Sequence, residues 1–327
     1  MRIRLTGLAI GAMFMIFSLG ASIVFGKNPI PFSIVLDSLT SFDESSRNHL
    51  IVHSVRIPRA LIAMVVGGCL AMAGAVMQAI TRNALAGPEL FGVNQGAALM
   101  IVIHIFLLGK SSLTGYIGFS FLGAGAAGII VYALGSMGAR GLTPVKLILA
   151  GSTINLLFAS LTQGILIFDE ESLDTMRYWL AGSLTGRSME LFMQTLPFML
   201  AGLIGTLAMG RQINLISLGE DVARGLGQRT GWIKAGSLGL VILLAGSSVA
   251  IAGPVGFVGL AVPHIARFIV GSDYRWILPY SAVFGAILLL LADVAARFIV
   301  PSQEVSAGVV TAMLGAPFLI YLAQRRV

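Results

Sequence analysis

The uncharged stretch between Arg59 and Arg82 constrains this chain more than any other feature. It contains 22 residues, and a helix that rises about 1.5 Å per residue needs about twenty to cross the hydrocarbon core of a bilayer. Small residues and one amide recur in it at helical spacing, at Gly67, Ala71, Gly74 and Gln78. Membrane helices pack closely on faces of small residues. We therefore predict a transmembrane helix at the centre of a bundle.

The composition of the chain excludes a soluble globular protein. Hydrophobic residues make up 57% of the 327 residues and charged residues 11%, whereas charged residues alone make up about a quarter of a typical soluble domain. The net charge of +7 arises from basic residues scattered singly between apolar runs, which favours control of membrane topology over nucleic-acid binding. The single cysteine, Cys69, excludes an intrachain disulfide and a metal site made of cysteines.

Ten apolar runs predict an all-α polytopic membrane protein with about ten transmembrane helices in one domain over residues 1–327. The runs cover 5–26, 60–81, 93–109, 115–135, 143–168, 191–210, 235–252, 255–271, 277–300 and 306–323. The first run is longer than the core of a usual signal peptide, so we interpret it as a retained span. The run over 93–109 is short, and a Gly-Pro pair breaks the apolar sequence at 253–254, so nine spans are the alternative.

The distribution of charge gives the expected orientation. With the amino terminus in the cytoplasm, thirteen basic residues fall in the inner connections and eight in the outer ones, in agreement with the positive-inside bias. An even number of spans then places both termini in the cytoplasm. The sequence Ala-Gly-Pro occurs at 86–88 and at 252–254, after the second and seventh spans, and suggests an inverted repeat of helices 2–5 and 7–10. Chance similarity in a glycine-rich chain is the alternative.

Motifs for catalysis or cofactor binding are weak, and we predict no catalytic residue, cofactor or resident metal. The glycines of residues 123–128 match a dinucleotide fingerprint but lie inside an apolar span, where helix packing explains them. Gly-Lys-Ser at 109–111 lacks the first glycine of a phosphate-binding loop, so ATP is expected on another chain. His49 and His53 are four residues apart but have no third zinc ligand near them in the sequence.

Asp293 and Arg297 lie one helical turn apart near the end of a predicted span. Ionisable residues inside a membrane are costly and are usually paired or functional. A proton relay would use such a carboxylate, but one acid makes no chain of proton sites. The sequence therefore favours a local ion pair between residues i and i+4.

The loop at about 211–234 is expected to contain a short surface helix. Glu220 and Asp221 would lie at the positive end of its dipole, Val222 and Leu226 are spaced to share one face, and glycines would end it. A surface helix with an apolar strip is suited to docking a partner protein.

Three stretches resemble one family, the FecCD-type permeases of iron-siderophore and cobalamin ABC transporters. Residues 56–98 resemble its second-helix signature, with Ala84 where the family usually has Pro. Residues 218–228 resemble its coupling loop, E-x-x-A-x-x-x-G. Residues 249–267 resemble G-P-[IV]-x-F-V-G-L-x-x-P-H-x-x-R, and Ser306 stands where the family commonly has Pro.

The resemblance implies the permease subunit of a binding-protein-dependent ABC importer in the bacterial cytoplasmic membrane, which translocates a ferric siderophore or related iron chelate. The implied partners are a second permease subunit, identical or paralogous, two cytoplasmic ABC ATPase subunits and an extracytoplasmic substrate-binding protein. The implied coupling residues are Leu218, Gly219, Glu220, Ala223 and Gly227. The implied docking residues for the binding protein are Arg56, Arg59 and Arg297, with interfacial anchoring as the alternative.

Polar residues inside the apolar runs are candidates for the lining of a translocation path, although helix packing explains each equally well. They are Gln78, Asn83, Asn94 and Asn155. Two other functions compete with the ABC importer for iron chelates. One is an ABC permease for cobalamin or haem, and the other is a secondary transporter driven by an ion gradient, which the repeat and Asp293 would suit. A membrane enzyme is less consistent with the sequence, because no catalytic constellation is present.

Overall fold

A computed structural model describes residues 2–108, 113–138, 143–168, 176, 179–300 and 304–324. Every regular element in these ranges is helical. The helices of the first half are α1 (Arg2–Val24), α2 (Phe32–Thr40), α3 (Arg47–Ile51), α4 (Ile57–Thr81), α5 (Val93–Leu108), α6 (Leu113–Ser136) and α7 (Pro144–Leu166). Those of the second half are α8 (Met189–Ala208), α9 (Gly210–Ser217), α10 (Glu220–Gly225), α11 (Thr230–Ala252), α12 (Val258–Val270), α13 (Tyr274–Ala296) and α14 (Ala307–Gln324).

Ten of these helices coincide with the ten predicted apolar runs. Seven helical stretches are long and apolar enough to cross a membrane, namely α1, the stretch that ends with α4, α6, α7, α8, α11 and α13. The shorter apolar helices are α5, α12 and the first part of α14. The all-α polytopic fold is thus confirmed, and the chain does break at residues 253–257, between α11 and α12.

Helix α4 is the centre of the bundle, as its small residues predict. Twenty-one of its 25 residues are buried, whereas α1 has three buried residues. Helix α4 packs against α1, α8, α9, α11, α12 and α13. A Cβ added to Gly67 would overlap the carbonyl of Gly285 on α13, and one added to Gly74 would overlap the carbonyl of Gly259 on α12. Glycine is therefore required at both contacts.

The helical run that contains α4 begins at Arg47, thirteen residues before the predicted span over 60–81. Helix α3 passes into a π-helical turn, Val52–Arg56, which passes directly into α4, so the backbone is helical from residue 47 to residue 81. Pro58 lacks an amide hydrogen, and the wider turn just before it fits such a defect in the hydrogen-bond ladder. As a result, Arg56 and Arg59 lie within a continuous helix and not at its first residue.

The contacts between helices follow the predicted repeat. Helix α5 packs against α6 and α7, and α12 packs in the same way against α13 and α14. Helix α4 packs against α12 and α13 of the second set, and α11 packs against α5 and α6 of the first set. Helices α4 and α11 also contact each other. These reciprocal contacts are those expected for two related units, α4–α7 and α11–α14.

The connections that precede α5 and α12 both return to the middle of the bundle. A Cβ added to Gly259 would lie 2.8 Å from the carbonyl oxygen of Leu70, midway along α4, and 2.9 Å from Cδ of Pro88. The residues just before the two helices, Gly92 and Phe257, have φ values of 70° and 68°. Both short helices therefore start inside the bundle, which explains their length.

The region predicted as a coupling loop at about 211–234 is largely helical. It contains most of α9, all of α10 and the first turn of α11. The irregular residues in it are confined to short connections on either side of α10.

Candidate functional site at two charged ends of the bundle

The first site lies where α4 begins and α1 and α13 end, which we call the Arg59 end. Asp293 on α13 is fully buried, and the Arg59 guanidinium donates to both of its carboxylate oxygens at 2.9–3.0 Å. Arg297 donates to the same carboxylate. The ion pair predicted between Asp293 and Arg297 is therefore present, and Arg59 joins it. Two buried guanidiniums share one buried carboxylate, which leaves one positive charge in need of a further acid.

Glu304 supplies that acid. Its Oε2 accepts hydrogen bonds from Nη1 of Arg59 at 2.7 Å and from Oγ1 of Thr185 at 3.2 Å. Partial burial raises the pKa of Glu304, but the hydrogen bonds from Arg59 and Thr185 and the charges of Arg59 and Arg297 together lower it by more. These contacts tie the residues just before α14 to the start of α4.

Two arginines at the Arg59 end also hold the last turn of α1. Arg56 and Arg297 donate through Nη1 at 2.6–2.8 Å to four backbone carbonyls, those of Ser22, Ile23, Val24 and Phe25. The last carbonyls of a helix have no partner within the helix and carry partial negative charge. The guanidiniums therefore satisfy the carbonyls and complement the dipole of α1.

The predicted docking of a binding protein at Arg56, Arg59 and Arg297 involves side chains that are already bonded. Each of the three residues is 4–6% exposed. They line, together with Glu304, a partly open cavity of about 140 Å³. An external carboxylate would have to reach the arginines through this cavity. Docking at these arginines stays a prediction.

The second site lies at the opposite end of α4, where α11 begins, and we call it the Glu220 end. Helix α10 stands there between Gly219 and Gly227, whose φ values of 128° and 79° suit glycine. Ala223 is fully buried against the bundle. The exposed apolar strip consists of Leu218, Val222 and Leu226, whose exposed fractions are 62%, 48% and 62%. The expected short helix with an apolar strip is confirmed.

Glu220 fixes α10 to the start of α11. Its Oε2 accepts a hydrogen bond from Nζ of Lys234 at 2.5 Å, and its Oε1 accepts from Arg224 at 2.6 Å and from Thr230 at 3.3 Å. Partial burial raises the pKa of Glu220, but Lys234 and Arg224 together lower it by more. Glu220 thus holds the helix that carries the apolar strip in one orientation.

A groove of about 300 Å³ opens beside α10, at the carboxyl ends of α4, α9 and α12. Two of the four residues proposed for the translocation path, Gln78 and Asn83, line it. Gln78 is buried, and its amide nitrogen donates to the carbonyl of Leu260 at 3.1 Å. Asn83 is exposed, and its Oδ1 accepts from the backbone amide of Leu85 at 2.9 Å. Both therefore have structural bonds as well as access to the groove.

The other two proposed path residues lie around the segment Pro88–Phe91, a 3₁₀ turn between α4 and α5. Asn94 lines a cavity of about 210 Å³ together with Glu89 and Phe257. The side chain of Asn155 on α7 donates to the backbone carbonyl of Glu89 at 3.0 Å. Glu89 could not be predicted as a site residue from the sequence, because an isolated acid in a loop belongs to no recognisable motif.

The remaining motifs have structural explanations where the structure describes them. Within residues 123–128, Gly123 packs against the backbone of α5, which confirms the interpretation as helix packing. His49 lies 3.5 Å from a carboxylate oxygen of Asp37, and His53 bonds to the carbonyl of Ser38. In the described ranges, no group of three or more His, Cys, Asp or Glu residues could hold a metal ion. The Gly-Lys-Ser sequence at 109–111 lies outside those ranges.

Comparison with known proteins agrees with the fold and with the resemblance. The sequence matches the FecCD transport family over residues 13–325. This chain belongs to the FecCD transport family. The probable siderophore transport system permease protein YfiZ of Bacillus subtilis is 50% identical to the FecCD chain over 305 residues, which cover 93% of this chain and 91% of the relative. The ferric enterobactin transport system permease protein FepD of Escherichia coli is 40% identical over 315 residues, which cover 96% and 93%.

Solved structures contain the same fold. An inward-facing metal-chelate type ABC transporter matches this FecCD chain with a TM-score of 0.85 at 28% identity, over 98% of this chain and 99% of that one. PsaBC from Streptococcus pneumoniae, solved with a Fab, matches with a TM-score of 0.55 at 22% identity and shows the fold alone. The FecCD chain is therefore a multi-pass membrane transport protein.

Proposed function

We propose that this FecCD chain is the permease subunit of a binding-protein-dependent ABC importer for a ferric siderophore or related iron chelate. The observation that carries the proposal is the 50% identity, over nearly the whole of both chains, to a siderophore permease. The exposed strip on α10 supports it, because a fixed helix with exposed Leu218, Val222 and Leu226 suits a docking partner. We place the chain in the bacterial cytoplasmic membrane with the Glu220 end in the cytoplasm.

The ATPase subunits act at the Glu220 end in this proposal. Two separate ABC ATPases hydrolyse ATP, and we expect this chain to contribute no catalytic residue. The strip on α10 contacts an ATPase, and the bonds of Glu220 to Lys234 pass its movement to α11. Helix α11 packs against α4 and α6, so a displacement at α10 reaches the centre of the bundle. Leu218, Gly219, Glu220, Ala223 and Gly227 form the coupling segment.

The substrate-binding protein acts at the Arg59 end. Acidic residues of that protein would enter the cavity lined by Arg56, Arg59 and Arg297 and would meet guanidiniums suited to carboxylates. Glu304 already accepts one of the Arg59 hydrogen bonds, so an incoming carboxylate would compete with it. Two permease subunits, identical or paralogous, form one path, with Gln78, Asn83, Asn94 and Asn155 as its candidate polar lining.

The main competing functions make different predictions. A secondary transporter would need an acid that is free to bind the coupling ion, and the acid suggested for that role, Asp293, is already bonded to Arg59 and Arg297. An ABC permease for cobalamin or haem would share every feature of the site, so substrate uptake must separate it from an iron importer.

The test is uptake in cells that lack this chain. We expect wild-type chain to restore uptake of radiolabelled iron with at least one chelator of a panel, and an ATPase-dead partner to abolish it. Labelled cobalamin and haem serve as parallel substrates. Uptake of cobalamin or haem alone would refute the iron chelate, and uphill transport by the purified chain in vesicles with only an ion gradient would refute the ABC importer.

A further inference from the structure

The groove at the Glu220 end carries more positive charge than the chain itself neutralises. Its lining consists of Gln78, Ala79, Arg82, Asn83, Ala84, Ser217, Leu218, Arg267, Ser272 and Tyr274. None of these ten residues is acidic. Among the described residues Arg82 has no hydrogen bond or ion pair, and the side-chain bonds of Arg267 go to the neutral groups of Gln78 and Tyr274. Two guanidiniums therefore face one groove without a carboxylate.

Arg267 is held in position from two sides. Its Nη2 donates to Oε1 of Gln78, and the hydroxyl of Tyr274 lies 3.5 Å from the same nitrogen. Gln78 is itself fixed, because its amide nitrogen donates to the carbonyl of Leu260. Gln78 thus acts as a positioning residue that orients Arg267 in the groove. A charged group that is oriented before its ligand arrives loses less conformational freedom on binding.

Arg82 directly follows the last residue of α4, in a left-handed conformation that is usually occupied by glycine. It ends α4 with φ 49°, a left-handed conformation that glycine adopts freely at this position and that costs other residues of order 1 kcal/mol or more. The described part of the chain has one other non-glycine residue with positive φ, Phe257. Arg82 places its guanidinium in the groove, beside Gly219. Because the backbone of Arg82 is strained and its side chain has no partner among the described residues, we expect the guanidinium to bind a ligand.

We propose that this groove binds a phosphate-bearing ligand through Arg82 and Arg267. Arginine suits phosphate because its planar group can donate two parallel hydrogen bonds to two oxygens. The hydroxyls of Ser272 and Tyr274 and the amide of Asn83 lie in the same lining and offer further donors. A phosphate has more oxygens to satisfy than a carboxylate does. A volume of about 300 Å³ also exceeds that of one acidic side chain and falls at the lower end of small-molecule sites.

The position of the groove allows two sources of phosphate, the headgroup of a lipid and a soluble phosphate. Helices α4 and α12 end at Thr81 and Val270, and α13 begins at Tyr274, so the groove lies where three apolar helices meet the level of the lipid headgroups. Basic pockets between membrane helices at this level bind anionic headgroups. A soluble phosphate would bring the same chemistry from the aqueous side.

The experiment measures binding to the full chain, purified in a detergent that contains no phosphate and without added phospholipid. In one arm phosphatidylglycerol is titrated and the bound lipid is counted by native mass spectrometry. In the other arm inorganic phosphate is titrated and the midpoint of thermal unfolding is followed. The variants are Arg82→Gln, Arg267→Gln and the double variant. Arg211→Gln removes an exposed arginine on α9, at the same end but outside the groove lining, and is the matched control.

We expect each groove variant to weaken binding about tenfold or more, since a hydrogen bond to a charged group contributes about 1.5–3 kcal/mol, and Arg211→Gln to leave it within about twofold. Dependence on the two arginines in the lipid arm identifies a headgroup as the ligand. The same dependence in the phosphate arm alone identifies a soluble phosphate.

A further variant separates binding from folding. Arg82→Gly relieves the left-handed backbone, so it should keep or raise the unfolding midpoint while binding falls as in Arg82→Gln. The proposal is overturned if the groove variants bind both probes as wild type does, or if Arg211→Gln weakens binding equally. It is also overturned if the groove variants bind both probes normally but no longer co-purify with a protein partner, because the groove would then be a protein contact.

Discussion

The two ends of the bundle use charge in opposite ways. At the Arg59 end, Asp293 and Glu304 neutralise arginines that are almost completely buried, and the bonds join helices from both ends of the sequence. At the Glu220 end, Arg82 and Arg267 face a groove without an acid, and apolar side chains of α10 are exposed. Charged groups thus neutralise one another at the Arg59 end, whereas at the Glu220 end, in the described part of the chain, two arginines remain without an acid beside the ion pairs that hold α10.

The largest expected effect is at the Arg59 end. Asp293→Ala would leave Arg59 and Arg297 buried with one acid between them, and breaking a buried ion pair costs about 3–5 kcal/mol. We expect the purified variant to unfold at a markedly lower temperature or to fail to accumulate in membranes. Asp221→Ala is the control, since Asp221 is exposed on α10 and should change the unfolding midpoint little. Equal effects of the two changes would contradict the contrast between the ends.

The second-largest expected effect is on association with the ATPase and not on the stability of the fold. Leu226→Asp places a charge in the exposed strip of α10, so we expect the ATPase partner to be lost on purification while the unfolding midpoint stays unchanged. Leu39→Asp on α2, an exposed leucine outside the seven stretches that could cross a membrane, is a control for a charge on an apolar surface away from α10. Retention of the ATPase by Leu226→Asp would remove α10 from the proposed interface.

A smaller effect tests the second acid of the Arg59 end. Glu304→Gln weakens the bond to Arg59 but keeps the shape of the side chain, and we expect a loss of about 1–2 kcal/mol in the free energy of unfolding. The same variant frees one donor of Arg59, so the binding protein should bind more tightly if Glu304 competes with it. Measured affinity that is unchanged or reduced would exclude such competition.

The smallest effect concerns pH at the Glu220 end. Burial raises the pKa of Glu220, but Lys234, Arg224 and Thr230 together lower it by more, so its contribution to stability is fully present above the usual glutamate pKa of about 4.3. That contribution is lost as pH falls through the lowered pKa. We expect less than about 1 kcal/mol, since Glu220 is partly exposed. The acid-induced loss in unfolding stability should be smaller in Glu220→Gln than in wild type, and identical pH profiles would contradict the role of Glu220.

The positions of the helices could be predicted because each depends on a local pattern. The small face of α4, with Gly67 and Gly74, predicts its central place, and the acids and glycines around 219–227 predict α10. The helical residues before α4 were not predicted, because residues 47–56 include polar and charged side chains and form no apolar run.

The candidate sites could be predicted only in part. Spacing along one helix reveals the pair of Asp293 with Arg297, but Arg59 lies 234 residues from Asp293 and joins it through the packing of α4 on α13. For the same reason nothing in the sequence links Arg82 to Arg267, which belong to different helices and meet only in the folded groove. A site built from residues that are far apart in the sequence can be recognised only in the tertiary structure.

The bonds that hold α1 also set an order of events during synthesis. Helix α1 leaves the ribosome before the other helices described, and Arg56, which bonds two of its last carbonyls, follows them by 32–33 residues. Arg297, which occupies the carbonyl of Ser22, is made 275 residues after it. Helix α1 therefore receives its attachment to Arg297 only after the helices α2 to α13 have been made.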